Sequence, residues 1–267
     1  MTEFFIHRGV RLEYMVSGQG CPLVFLHGLG GSIRQIQSTL DPIPGVQLIV
    51  LNQQGHGNSG ADWETYSFDR LGEDVLALLD FLKIEKASFA GISMGAAVSL
   101  NIAVRFAQRV ERMLLIRNAW TDQPMSEPVR RAYHDLGQSL HLGGLEAFRQ
   151  TAGWEIVSKT TPYTKNAFTV PFQEEFNVKN WKKFLLLPSQ TPIASLDALR
   201  NLHIPVMILA NENDLCHPYA YGKLLEKTIP GAIFRQIPDK DSDPAGHGQQ
   251  INLAVRELLG FPCDSAK

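Results

Sequence analysis

The run Ser88-Phe89-Ala90-Gly91-Ile92-Ser93-Met94-Gly95-Ala96-Ala97 constrains this chain more than any other. It reads as an apolar strand that ends in Gly-x-Ser-x-Gly and passes at once into a helix of small residues. Gly91 and Gly95 lack a Cβ, so a sharp strand-to-helix turn and a close helix–strand approach become sterically possible. Such a turn projects the Ser93 hydroxyl into a cleft at a helix N-terminus. There the free N–H groups and the helix dipole favour developing negative charge. The five letters alone fit a plain glycine-serine turn equally well, so the rest of the chain decides.

Short apolar strands alternate with amphipathic helices on both sides of this run. Strands are predicted at Phe4–His7, Arg11–Val16, Pro22–Leu26, Val46–Leu51, Ala87–Gly91 and Val110–Ile116. Helical spacing marks Phe68–Leu82, with Leu71, Val75, Leu78, Leu79 and Leu82 on one side, and Met94–Phe106 follows the serine. From about Trp120 to Thr191 the chain carries aromatics and helical stretches but no convincing buried strand. Alternation returns with Val206–Ala210, a helix Tyr219–Lys227, a strand Ile233–Ile237 and a final helix Gln249–Leu259. The pattern predicts an α/β fold: a mostly parallel central sheet flanked by helices, with an inserted helical cap. The core is expected at 1–118 and 192–267, and the cap at 119–191.

Composition narrows the class of function. With 44% apolar and 19% charged residues, the chain can bury a substantial core. A net charge of −2 supplies no basic field, so no nucleic-acid partner is expected. Cys21, Cys216 and Cys263 are scattered and suggest neither a disulfide framework nor a zinc site, so no metal is expected. The N-terminus has an early acid and no long apolar stretch, and no run approaches bilayer length. A cytoplasmic protein that takes a small-molecule substrate, with no membrane partner, is the expectation.

Open parallel sheets place their sites at the carboxyl ends of strands. Ser93 follows one such end. Asp214 follows Val206–Ala210, in Asn211-Glu212-Asn213-Asp214, and His247 is expected in the loop between Ile233–Ile237 and the last helix. The chain order Ser…Asp…His, with His27-Gly28-x-Gly30-Gly31, Gln54-Gly55-His56-Gly57-x-Ser59 and Gly91-x-Ser93-x-Gly95, resembles the α/β-hydrolase superfamily with a helical cap. The resemblance covers nearly the whole chain outside the cap. It implies an oxyanion hole from the backbone N–H groups of Leu29 and Met94, and no cofactor. Many relatives read Asp-x-Arg-Gly-His-Gly-x-Ser where this chain has Asn52-Gln53-Gln54-Gly55-His56-Gly57-Asn58-Ser59. Amides in place of an acid and an arginine can keep the loop's hydrogen bonds at a lower desolvation cost.

Chemistry assigns the expected roles. Ser93 needs a base to remove its proton as it attacks; His247 is that base and then the acid, and Asp214 orients it. Acidification through a pKa near about 6–7 is then expected to abolish activity. Glu212 competes weakly for the acid's role. His217 lies close to Asp214 but precedes a helix on the wrong strand to be the base, His56 is read as structural, and His27 as satisfying backbone groups under the oxyanion loop. Arg117, just past Leu114-Leu115-Ile116, either grips a substrate carboxylate or anchors the cap in a salt bridge. Of the cap aromatics, Trp120 and Trp154 are candidates for lining the pocket. The expected activity is a serine hydrolase that cleaves a small carboxylic ester or lactone through an acyl-enzyme. Acyl transfer, perhydrolysis and carbon–carbon bond hydrolysis would use the same residues, and a slow-turnover ligand sensor is the rival of another class.

Overall fold

A computed structural model describes residues 1–261. Its eight strands are β1 (Thr2–His7), β2 (Val10–Ser17), β3 (Cys21–Leu26), β4 (Val46–Leu51), β5 (Ala87–Ile92), β6 (Val110–Ile116), β7 (Val206–Ala210) and β8 (Ile233–Gln236). They form one sheet in the order β1-β2-β4-β3-β5-β6-β7-β8. The β1–β2 and β2–β4 pairs are antiparallel, and every later pair is parallel.

The central strands are predominantly apolar because both sheet faces are covered, with Ser88 in β5 and Glu111 and Arg112 near the start of β6 as polar exceptions. Side chains alternate between faces, so each strand divides its residues between two cores. Val24, Leu26, Phe89, Met113, Leu115 and Ile208 belong to one core. Leu23, Phe25, Ala90, Leu114, Ile116 and Leu209 belong to the other. Of the helices before the cap region, α1 (Ile33–Gln37) covers the second face, and α2 (Phe68–Phe81) and α3 (Met94–Arg105) cover the first.

Between β6 and β7 the described chain is helical: α4 (Glu127–Leu142), α5 (Gly144–Phe148), α6 (Ala152–Ser158), α7 (Pro162–Thr169), α8 (Glu175–Lys179) and α9 (Lys182–Leu186), with short 3₁₀ turns. Threonine caps start two of them: Thr151 accepts from Trp154 N–H at 3.1 Å and Thr161 from Thr164 N–H at 3.3 Å. This region fastens to the sheet end through polar contacts. Lys183 Nζ donates to Gly55 O at 2.6 Å, Asn177 Nδ2 to Gly30 O at 3.1 Å and Gln190 Nε2 to Tyr66 O at 2.9 Å.

Helices α10 (Tyr219–Thr228) and α11 (Pro244–Leu259) complete the fold, α10 on the first face and α11 on the second. Helix α11 begins at Pro244, well before the expected Gln249. Asp243 is its N-cap and accepts from Gly246 N–H at 2.8 Å, and Pro244 sits in the first turn, where its missing N–H costs nothing. His247 is therefore inside the first turn of α11, and not in a loop before it. Helix α1 had no counterpart in the expectation, and the strands and helices that were predicted otherwise agree with it to within a few residues at each end.

Among the described residues Cys21 and Cys216 are free thiols, and no group of histidines, cysteines and acids could hold a metal. Cys263 lies outside the described residues. No helix of the described chain is long and apolar enough to cross a membrane.

Candidate active site

Ser93 sits between β5 and α3 with φ 56° and ψ −109°. That backbone region is strained for a residue with a Cβ. The Ser93 N–H donates to Ile116 O at 2.9 Å, which ties the turn to the neighbouring strand. A Cβ on Gly91 would collide with the backbone of Gly95, and one on Gly95 with the carbonyl of Leu26. The two glycines thus let α3 descend onto β5 and β3. Serine at a helix N-cap ordinarily accepts an N–H of the first turn. Here the twisted backbone turns the hydroxyl away and it caps nothing.

The loop after β3 lies against this turn: a Cβ built on Gly28 would be 3.6 Å from Ser93 Cβ. Leu29 follows Gly28 in this loop, and Met94 is the first residue of α3 after the serine. Two buried histidines shape the loop. His27 Nδ1–H donates to Gly28 O at 2.9 Å, which leaves its Nε2 to accept Gln53 N–H at 3.1 Å. His56 accepts Gly30 N–H at 3.1 Å through Nε2. Burial pushes the pKa of His27 down to about 4 and that of His56 well below its ordinary value. The amides behave as expected for a buried loop. Asn52 Nδ2 donates to Glu13 Oε2 at 2.6 Å, and Gln54 Nε2 to Asp74 Oδ2 at 2.6 Å.

Strands β5, β6 and β7 are neighbours, so Ser93, Arg117 and Asp214 leave adjacent strand ends. Asp214 is not joined to His247 by a hydrogen bond. Its Oδ2 takes the Nε and Nη2 groups of Arg117, the former at 3.0 Å. Its Oδ1 takes the N–H groups of Cys216 and His217 at 3.1 Å each, and His217 Nδ1–H at 2.9 Å. Burial alone would raise the Asp214 carboxyl, but His217 and Arg117 hold it well below the usual carboxylate range. His217, set aside on sequence grounds, is thus the histidine that Asp214 engages. The three-residue spacing brings both to one turn, a local signal that strand order concealed.

His247 is 2% exposed and faces a different partner. Its Nδ1–H donates to Pro238 O at 2.8 Å. A carbonyl can only accept, so the proton is on Nδ1 and the lone pair on Nε2. Nε2 is buried and finds no hydrogen-bond partner among the described residues. Burial pushes its pKa down to about 4, with a smaller upward pull from Pro238 O. That lies below the pKa of about 6–7 expected for this residue from the sequence.

Arg117 is 4% exposed and has φ 53°. Besides Asp214 it donates through Nη1 to Tyr163 Oη at 3.2 Å, so a single guanidinium ties the end of β6 to the β7 loop and to α7. Its salt bridge is with Asp214 on the β7 loop, and it reaches the helical region through the Tyr163 hydrogen bond. Trp120 and Trp154 are packing residues. Trp120 is fully buried, edge-on to Phe68 with centroids 5.2 Å apart, and half-buried Trp154 meets Phe148 edge-on at 5.7 Å. Lys183 gave no signal in the sequence. It is fully buried, and desolvation holds its ammonium well below the ordinary lysine range.

Fold, turn and loop together define a hydrolase of the α/β class. Residues 22–139 match the model of the alpha/beta hydrolase fold family. The 3-oxoadipate enol-lactonase 2 of Acinetobacter baylyi is 33% identical over 256 residues, spanning 94% of this chain and 93% of that one. The chain belongs to the α/β-hydrolase family. A shorter stretch of 101 residues is 44% identical to the dihydrolipoyllysine-residue acetyltransferase component of the acetoin cleaving system of Pseudomonas putida. That match spans 38% of this chain and 27% of that protein. The crystal structure of the enol-lactonase from Burkholderia xenovorans superimposes with a TM-score of 0.78 at 20% identity, over 97% of this chain and all of that one. At that identity the likeness concerns the fold.

Proposed function

We propose that this protein is a serine hydrolase that cleaves a small carboxylic ester or lactone through an acyl-enzyme at Ser93. The observation that carries the reading is the strained turn at Ser93, which leaves its hydroxyl uncapped beside the Gly28-Leu29 loop. Strain of this kind costs about 1–3 kcal/mol and is retained where chemistry needs it. The enol-lactonase relative supports a lactone or ester as substrate class.

In this reading Ser93 Oγ attacks the carbonyl and transfers its proton to His247 Nε2. The N–H groups of Leu29 and Met94 receive the oxyanion, each donor contributing about 3–4 kcal/mol to the transition state. His247 then protonates the leaving group, and water activated by the same nitrogen releases the acid. Pro238 O holds the tautomer that puts the lone pair on Nε2. Asp214 acts on His247 through its field, since Arg117 and His217 engage both of its oxygens.

The test is stopped-flow hydrolysis of short p-nitrophenyl esters by the wild type and by Ser93→Ala. Steady turnover that the substitution abolishes is expected. Turnover that survives Ser93→Ala ends the reading. A burst with almost no turnover favours a second reading, a slow-turnover ligand sensor. The engagement of Asp214 by Arg117 and His217 is the observation on its side.

A further inference from the structure

A small cavity of about 160 Å³ lies beside the ends of β5 and β6, on the α1 and α11 side. Its lining includes Ile92, Ile116, Arg117, Lys240 and His247, with Ser38 and Thr39 at the end of α1. Three basic side chains border it, and its lining has no carboxylate. The volume is about ten times what one water needs. The hydroxyls contribute no free donor, because Ser38 Oγ and Thr39 Oγ1 both donate to Gln35 O.

Two observations together point to a carboxylic acid as occupant, which brings a proton for an acceptor and a negative oxygen for a cation. The first is His247 Nε2, buried without a partner in a side chain that borders the cavity. A polar atom in that state normally has a ligand or a proton partner. The second is Lys240. Asp239, Asp241 and Asp243 surround it in sequence, yet none pairs with it. Asp239 accepts Ser242 N–H, Asp241 accepts Tyr163 N–H and Asp243 accepts Gly246 N–H. Lys240 Nζ instead donates to Tyr163 Oη at 3.1 Å, and it has no carboxylate partner among the described residues. The charge of Arg117 is balanced by Asp214, so the uncompensated cation at the cavity is Lys240.

We propose that this cavity is a subsite for a small carboxylate, held between Lys240 Nζ and a protonated His247 Nε2. The carboxylate enters with one proton from solvent; Nε2 takes up that proton, forming an N–H bond, and the N–H donates a hydrogen bond to a carboxylate oxygen, with no other bond made or broken. The groups facing His247 are Lys240 and Asp239 from its preceding loop, Arg117 from β6 and Asp214 from the β7 loop. Lys240 and Arg117 oppose the proton, and the incoming carboxylate supplies the counter-charge that Lys240 lacks. The proposal rests on His247 as the proton carrier beside Ser93. It names the acid product of ester or lactone hydrolysis as the natural occupant and predicts inhibition by small carboxylic acids.

Sodium acetate titrated calorimetrically into the Ser93→Ala protein at about pH 6 tests it, in two buffers of different ionisation enthalpy. One acetate per chain is expected, with a Kd of about 1 mM and a proton taken up on binding. Lys240→Gln should weaken binding at least tenfold, and Lys86→Gln, at an exposed and distant site, should leave it unchanged. No binding, equal effects of the two lysine substitutions, or binding without proton uptake would overturn the proposal. The Ser93→Ala protein does no chemistry, so this result is independent of whether the wild type hydrolyses esters.

Discussion

Ser93 holds a conformation that most residues avoid, and its neighbours explain why it can. The N–H bond to Ile116 O and the glycines at 91 and 95 fix the turn from both sides. His247 shows how burial sets a protonation state. Its folded pKa near 4 lies below the ordinary value of 6.5, so the neutral base persists to low pH. The acid limb of kcat/KM is therefore predicted near pH 4; a limb at pH 6–7 in a pH–rate profile would contradict this. Arg117 and Asp214 form a buried pair, 4% and 5% exposed at the side chain. Arg117→Met would leave the carboxylate buried with three donors in place of five. It should destabilise the protein by about 3 kcal/mol in urea unfolding, and a loss below about 1 kcal/mol would mean the pair is not formed. None of this pairing was legible in the sequence. Arg117 could be seen to leave a strand end, and a substrate carboxylate or a salt bridge to the cap was expected to take it; nothing in its neighbours pointed to Asp214.

Elements were legible where periodicity was strong. The short, mostly apolar runs of β3, β5, β6 and β7 read as strands buried on both faces, and the Leu71-Val75-Leu78-Leu79 stripe as a helix face. Helix α11 was misjudged at its start because its first turn, Pro244-Ala245-Gly246-His247-Gly248, contains two glycines and no apolar stripe. The signal that could have found it was the Asp-Pro pair at 243–244, an N-cap followed by the residue best suited to the first turn. Asp243→Ala is expected to cost about 1 kcal/mol and to speed amide exchange at Gly246 and His247; unchanged exchange would show that the cap does not hold the turn. At the other junction, Gly95→Ala should prevent α3 from seating on Leu26. The expected readout is a clear loss of thermal stability together with loss of ester hydrolysis, whereas a stable, active Gly95→Ala protein would exclude the close approach.

At the scale of the whole molecule, one sheet carries two cores, and the site stands where its central strands end under a helical region. Strand alternation made the fold legible. The helical region was legible only as a stretch without strands, because its short helices are fixed by contacts such as Lys183 with Gly55 O and Asn177 with Gly30 O. Such contacts join residues more than a hundred positions apart, and no local pattern encodes them. Buried neutral histidines also give the molecule an acid liability. The folded pKa values of His27 and His247, about 4, lie below the unfolded value, so the unfolded chain binds more protons between pH 6.5 and pH 4. Their contribution is complete above pH 6.5 and declines as pH falls through that window. Urea midpoints should drop across it, and a flat profile would mean these rings are solvated. The most direct measurement of all is to treat the protein with a fluorophosphonate and map the adduct by mass spectrometry. A single adduct on Ser93, absent from Ser93→Ala, is the predicted result; an unlabelled Ser93, or labelling that persists in Ser93→Ala, would contradict a nucleophile at the β5–α3 turn.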